Sequence, residues 1–173
     1  MLYPSPAPYD DATRAALVDA FAALTLDAMA LEASVYLAHR ACRGPLTIAL
    51  HPFLGAFAAR LGEYADALPE YVAMLGGQPT GNAEQVADGH RLGAFPADLS
   101  DGAALLAAIH PMARAFLLQC HGVAAVANEQ GATDALDLVT RVIAGTQHYG
   151  WQIAAMLVPP TSTPSPSTPP PSP

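Results

Sequence analysis

Four side chains in this sequence have the types and the spacing to bind a metal: His39, His51, Asp66 and Glu70. Imidazole nitrogen together with carboxylate oxygen is a donor set that suits iron and other borderline first-row metals. His51 and Asp66 lie fifteen positions apart. On a single helix that separation is roughly 22 Å, at 1.5 Å per residue. No ion can therefore be held by both within one subunit, and an ion they share must lie between two subunits. At 100° per residue, His51, Asp66 and Glu70 fall within roughly a 100° arc of one helix face. Asp66 and Glu70 are spaced to act as a pair. His39 closes one helical stretch and His51 opens the next, so the intervening turn can bring the two imidazoles together. A two-fold axis packing the second helices antiparallel would then set each histidine pair against the opposite carboxylate pair, giving two equivalent sites per dimer. The bland alternative is a pair of solvated histidines and a wetted acidic face.

The elements that must position these groups are legible in the hydrophobic pattern. From about Asp11 to Cys42, Leu17, Phe21, Leu24, Ala28, Leu31, Val35 and Ala38 step by four and three, which predicts one apolar helical stripe. Asp10 or Asp11 can cap its start, and Gly44-Pro45 breaks it. The same step continues through Leu50, Leu54, Phe57, Leu61, Tyr64, Leu68, Tyr71 and Leu75, ending at Gly76-Gly77. Pro69 inside this second helix is expected to remove the hydrogen bond to Ala65 and to bend the axis. Gln78 to Leu99 is too long for a tight turn. It predicts a crossover along the bundle, with a short helix around Ala83 to Asp88. A third helix is expected through Leu105, Ile109, Met112, Phe116, Gln119, Val123 and Val126, with His110-Pro111 as a possible kink. The fourth runs from Ala132 or Thr133 to about Val158, with Leu136, Val139, Ile143, Thr146, Ile153 and Leu157 inward. Two helical hairpins joined by one long crossover make an all-α four-helix bundle of the ferritin-like kind. Residues 1–10 then form an N-terminal extension and 11–158 the domain. The Pro/Ser/Thr-rich tail 159–173 is expected to be disordered or polyproline-like, because it cannot build a core.

Composition agrees with this. In 173 residues, 52% are hydrophobic, enough for one core. Alanine and leucine are abundant and β-branched residues few, which favours helices. A formal net charge of −8 with only seven Lys and Arg argues against binding to phosphate backbones, DNA included. Cys42 and Cys120 make no disulfide framework, so a reducing, cytoplasmic setting is expected. No signal peptide is evident. No uncharged apolar run of roughly 18 residues predicts a membrane span either.

The pattern H-x11-H-x14-D-x3-E, met by His39, His51, Asp66 and Glu70 and followed by Leu75-Gly76-Gly77, resembles that of the Dps proteins, or mini-ferritins. Ala132-Thr133-Asp134-Ala135-Leu136, with Trp151 further on, is similar to the family's fourth helix. The resemblance implies a hollow homododecamer that oxidises Fe(II) with hydrogen peroxide or dioxygen and stores ferric iron. It also implies a ferroxidase centre at the two-fold interface, where related divalent metals such as zinc could also bind. His39 and His51 would come from one subunit, Asp66 and Glu70 from its partner. Many relatives bind DNA through lysine-rich tails, which this chain lacks.

Two positions depart from the family pattern. Gly55 stands where an aspartate is usual, four residues after the second histidine, and Arg40 where a tryptophan follows the first. Loss of a carboxylate weakens a second iron position, and a guanidinium nearby repels cations; Glu63 or Glu32 could compensate. Asp134 and Asp137 could line a cation-attracting pore, as in the family, or simply complement the helix dipole. His110, His121 and His148 lack the E-x-x-H spacing of other di-iron bundles and read as solvated or core side chains. Cys42 and Cys120 read as small core fillers, and Trp151, Tyr64 and Tyr71 as core or interface aromatics. The rival to a ferroxidase is a ferritin-like shell or scaffold whose site has decayed. A third reading is a regulatory or metal-carrying bundle that stays dimeric.

Overall fold

A computed structural model describes residues 2–96 and 98–159. The expectation for the proline-rich tail falls almost wholly outside them. The helices are α1 (Asp11–Ala41), α2 (Thr47–Met74), α3 (Ala83–Gly89), α4 (Gly102–Glu129) and α5 (Thr133–Met156), in that order. Three of the five begin on a side-chain cap. Asp10 accepts from the Thr13 amide at 2.7 Å, Asp101 from that of Ala104 at 3.0 Å, and Asn82 forms a reciprocal capping box with Gln85. Gly76, at φ +83°, ends α2, with Gly77 N–H donating to Val72 O at 2.9 Å and Gly76 N–H to Ala73 O.

The apolar stripes expected of α1 and α2 are buried at every position, and these two helices form the most extensive pairing in the molecule. α4 pairs with α5, α1 with α4 and α2 with α5, which closes a four-helix bundle around Phe21, Phe57 and Phe116. The crossover does run the length of the bundle. α2 ends beside the start of α1, whereas Arg43 N–H at the far end of α1 donates to Ser100 O at 2.8 Å, just ahead of α4.

In the second hairpin the stripe lies slightly rotated from the sequence reading. On α4 the buried residues after Phe116 are Cys120, Val123 and Ala127, while Gln119 and Val126 are only half-buried. On α5 Ala135 and Val142 take the innermost positions, with Leu136 and Ile143 at the margin. Which residue of each turn faces inward is set by the neighbouring helix it meets, and a regular three-four step does not encode that. The helices are also continuous through Pro52, Pro69 and Pro111. Pro69 therefore forfeits the bond to Ala65 O without ending α2. By length and composition α4 is apolar enough to cross a membrane, with mean hydropathy 1.4 over eighteen residues. Its apolar side is the core of the bundle, formed by Leu105, Ile109, Phe116 and Cys120.

The crossover is anchored by a pair that the hydrophobic pattern does not reveal. Asp27, fully buried on α1, accepts from the Arg91 backbone N–H at 2.7 Å and from its guanidinium at 2.5 and 3.0 Å. A buried carboxylate needs all three donors to offset its desolvation.

Candidate metal centre

The α1–α2 turn brings the imidazoles of His39 and His51 to 3.8 Å between ring centroids. His39 Nδ1 lies 2.8 Å from the backbone oxygen of His51. A carbonyl can only accept, so Nδ1 carries the proton and donates. That leaves the Nε2 lone pair of His39 free for a metal, the arrangement in which a metal-ligating histidine is usually oriented. The ring lies flat against α2 because position 55 is glycine: a Cβ there would stand 3.1 Å from His39 Cε1. Gly55 thus makes the seat for His39.

Tyr36 stacks on the other side of this group, 6.0 Å from His39 with 15° between the rings. Arg40, expected to repel cations, keeps its charge close to this group. Its guanidinium lies 4.1 Å from the centre of the Tyr36 ring and donates to the Tyr36 hydroxyl at 2.7 Å. The aromatic beside the histidine pair is therefore Tyr36, three residues before His39 on α1. An i, i+3 contact of this kind could have been read from the sequence. Tyr64 and Tyr71 are buried, and Trp151 is 65% exposed on α5.

Asp66 and Glu70 are exposed on α2, on the arc that carries His51, beyond Gly55 and Gly62. Among the described residues, no three His, Cys, Asp or Glu side chains converge well enough to hold an ion within one protomer. The histidine pair and the two acids lie at opposite ends of α2, as their spacing requires.

Glu63 is ion-paired with Arg60 and borders a groove of about 640 Å³ between α2 and α5. Glu32 reaches from α1 to Gly62, where a Cβ would stand 3.2 Å from its Oε1. Partial burial raises its pKa above the ordinary glutamate value.

Asp134 has a partner set that the sequence did not suggest. It accepts from the hydroxyl of Tyr9 and, at 3.0 Å, from that of Tyr71. Burial pushes its carboxyl upward, but the two phenols and the Ala135 N–H outweigh that and hold it below the usual range. The same contact raises Tyr9 to about 12. Asp137 pairs with Arg141 at 3.2 Å. Cys42 and Cys120 are free and buried, and burial lifts the Cys120 thiol to about 12. His110 is half-buried, while His121 and His148 are exposed.

Residues 24–159 match the family described as Ferritin-like domain. The chain belongs to the ferritin-like family. No curated protein matches the sequence. Among solved structures, DpsC from Streptomyces coelicolor superposes with a TM-score of 0.87, at 24% identity over 92% of this chain and 93% of that one. A Dps protein from Vibrio cholerae O1, titled a member of a broad superfamily of ferritin-like diiron-carboxylate proteins, gives 0.82 at 18% identity over 87% and 94%. An archaeal Dps homologue from Halobacterium salinarum gives 0.83 at 21% over 94% and 97%. The ferritin-like domain here thus has the fold of Dps proteins, with His51, Asp66 and Glu70 exposed on α2 and His39 reaching His51 from the end of α1.

Proposed function

We propose that this ferritin-like domain binds Fe(II) between two protomers and oxidises it, as a Dps-like mini-ferritin that stores the ferric product. The observation that carries the reading is the pair of half-sites. Two imidazoles in contact, one with its free nitrogen assigned, share a helix face with two carboxylates too distant to serve the same ion. A protomer related by a two-fold axis supplies the missing half. Neutral imidazoles and anionic carboxylates suit a divalent first-row ion.

In this reading His39 and His51 hold the ion from one side. The backbone of His51 keeps His39 in the productive tautomer. Asp66 and Glu70 of the partner neutralise charge from the other side, Glu70 being the bridging ligand. The carboxylates favour the oxidised ion because its higher charge interacts more strongly with them. Two Fe(II) reduce one peroxide to two hydroxide ions, so that no hydroxyl radical is released. Exposed apolar side chains, Ile48 at 91% and Leu118 at 68% among them, suit a protomer that assembles further, into the dodecamer typical of Dps proteins. The setting proposed is cytoplasmic. The absence of a carboxylate at Gly55 favours a second reading, a shell with weakened or lost chemistry.

Fe(II) added anaerobically and followed by peroxide will produce ferric absorbance in the native protein, with His51→Ala and Glu70→Ala each reducing the initial rate about 100-fold. Equal rates in the variants would leave only the shell. Mixing His39→Ala and Glu70→Ala subunits offers a sharper measurement. Hybrid dimers regain one intact site of two, whereas two mutually inert populations would refute the shared geometry.

A further inference from the structure

Trp151 and the proline-rich sequence after α5 are used neither by the bundle nor by the metal centre. Trp151 is the single tryptophan of the chain, yet most of its side chain is exposed. With Gln152, Ala155 and Met156 of α5 it lines a cleft of about 340 Å³, which Ala49 and Phe53 of α2 complete. The described lining contains no charged side chain. Phe53 is fixed from behind, its ring 5.7 Å from that of Tyr149, which stacks on Phe57 at 4.6 Å with 15° between the planes. The indole of Trp151 stands 6.4 Å from the His148 ring. An α-helix, about 10 Å across with its side chains, is too thick for a cleft of this size. An extended chain carrying flat proline rings is not.

The sequence supplies such a chain next to the cleft. Met156, in its wall, is the last residue of α5, and the described residues end at Pro159. Residues 160–173 contain only proline, serine and threonine. A sequence of this kind favours polyproline II, which has no internal hydrogen bonds and leaves its carbonyls free to accept from a partner. Aromatic clefts recognise that form by packing against proline rings, at little entropic cost because φ is already restricted. Trp151 and Gln152 bring the N–H donors that such recognition uses. Segment and cleft also match in carrying no charge, in a chain whose net charge is −8. Trp151 lies about 7–8 Å back along the helix from Met156. At 3.1 Å per residue, residues 160–173 extend roughly 43 Å, so a turn back needs only the first few.

We propose that the Trp151–Phe53 cleft is the docking site of residues 160–173, which cover the indole and clasp the end of α5 to the start of α2. Attachment at the cleft's edge holds the segment at an effective concentration of about millimolar order. A weak intrinsic affinity then suffices, an advantage that no unconnected partner has. His39, His51, Asp66 and Glu70 take no part, so the clasp stands or falls apart from the metal chemistry.

With one tryptophan in the chain, fluorescence excited beyond the tyrosine band reports this cleft alone. Three proteins are compared: the full chain, a chain ending at Pro159, and a full-length chain with every proline after Pro159 replaced by serine. The bundle core is complete within residues 2–159, and light scattering verifies that the three assemble alike. The full chain is expected to emit at shorter wavelength than the shortened one. Its acrylamide quenching constant should be roughly two- to fourfold lower, as a segment bound most of the time at that effective concentration requires. The serine chain should behave as the shortened one. Should shortening change the assembly, the serine chain, which keeps the length, decides the matter. An indole equally exposed in the full and shortened chains overturns the proposal. Equal shielding in both overturns it too and assigns the cleft to a second copy of the protein. Shielding that survives in the serine chain does the same, since cover without proline is not recognition by this cleft.

Discussion

At the scale of single residues, glycine is the least conspicuous and the most consequential type in this chain. Gly55 and Gly62 create space on the α2 face, and His39 and Glu32 fill it. Gly76 does something different. It takes φ +83° to end α2, and its carbonyl accepts the Tyr3 N–H at 2.7 Å, so the N-terminal strap is fastened to the helix end. A Cβ at this position would collide with the Tyr3 carbonyl. Gly76→Ala therefore combines left-handed strain with a clash, and about 2 kcal/mol or more of stability should be lost in urea denaturation. The register of the glycines on α2 is visible in the sequence, but their meaning is not. Which α1 side chain lies over each one depends on the crossing of two helices.

Helix periodicity supplies the elements, and buried polar contacts fix the segments between them. Asp27 and Arg91 tie the crossover to α1, with Asp27 fully buried. Arg91→Ala leaves that carboxylate with one backbone donor. About 2–3 kcal/mol should be lost, somewhat less than for a wholly buried pair because Arg91 is partly exposed. Asp27→Asn in the same background should recover part of it, a pattern that a double-mutant cycle reads directly. Asp134 plays the matching part for the strap. Its carboxyl sits below its unfolded pKa because Tyr9 and Tyr71 donate to it. A depressed pKa contributes stability above the unfolded value and loses it as pH falls through the folded one. The strap should therefore stay docked at neutral pH and loosen below roughly pH 4, the unfolded carboxylate range. Amide exchange of residues 2–9 would follow this loosening. Asp134→Asn should loosen the strap already at neutral pH and remove most of the acid dependence. A carboxylate so engaged is better explained as a structural clasp than as free pore charge. Asp137 pairs at the surface with Arg141.

At the scale of the whole molecule, the proposed metal ligands lie in two sets that one protomer does not bring together among the described residues. In the proposed function, assembly is therefore the condition for chemistry. In the proposed cage, light scattering should give a mass near twelve times 17.9 kDa. A mass of two protomers would remove the storage cavity yet preserve the shared site, whereas a monomer at working concentration would remove both. Chelation of bound metal should leave the helical content nearly unchanged, because the core closes without the ion, as circular dichroism would show.

What the sequence determined by itself is what depends on local chemistry and period. Helix positions, a cap at Asp10 or Asp11, the stop at Gly76-Gly77, the long crossover, and the separation that forbids His51 and Asp66 a common ion inside one chain are all of this kind. The drift of the stripe on α4 and α5 was beyond it, since a step of three or four is decided by the neighbour each turn meets. Only the tertiary structure could decide where Arg40 puts its charge, which acid stands free, and which tyrosine stacks on His39. Those outcomes depend on side chains from different helices competing for the same few ångströms of space, and sequence distance carries no measure of that.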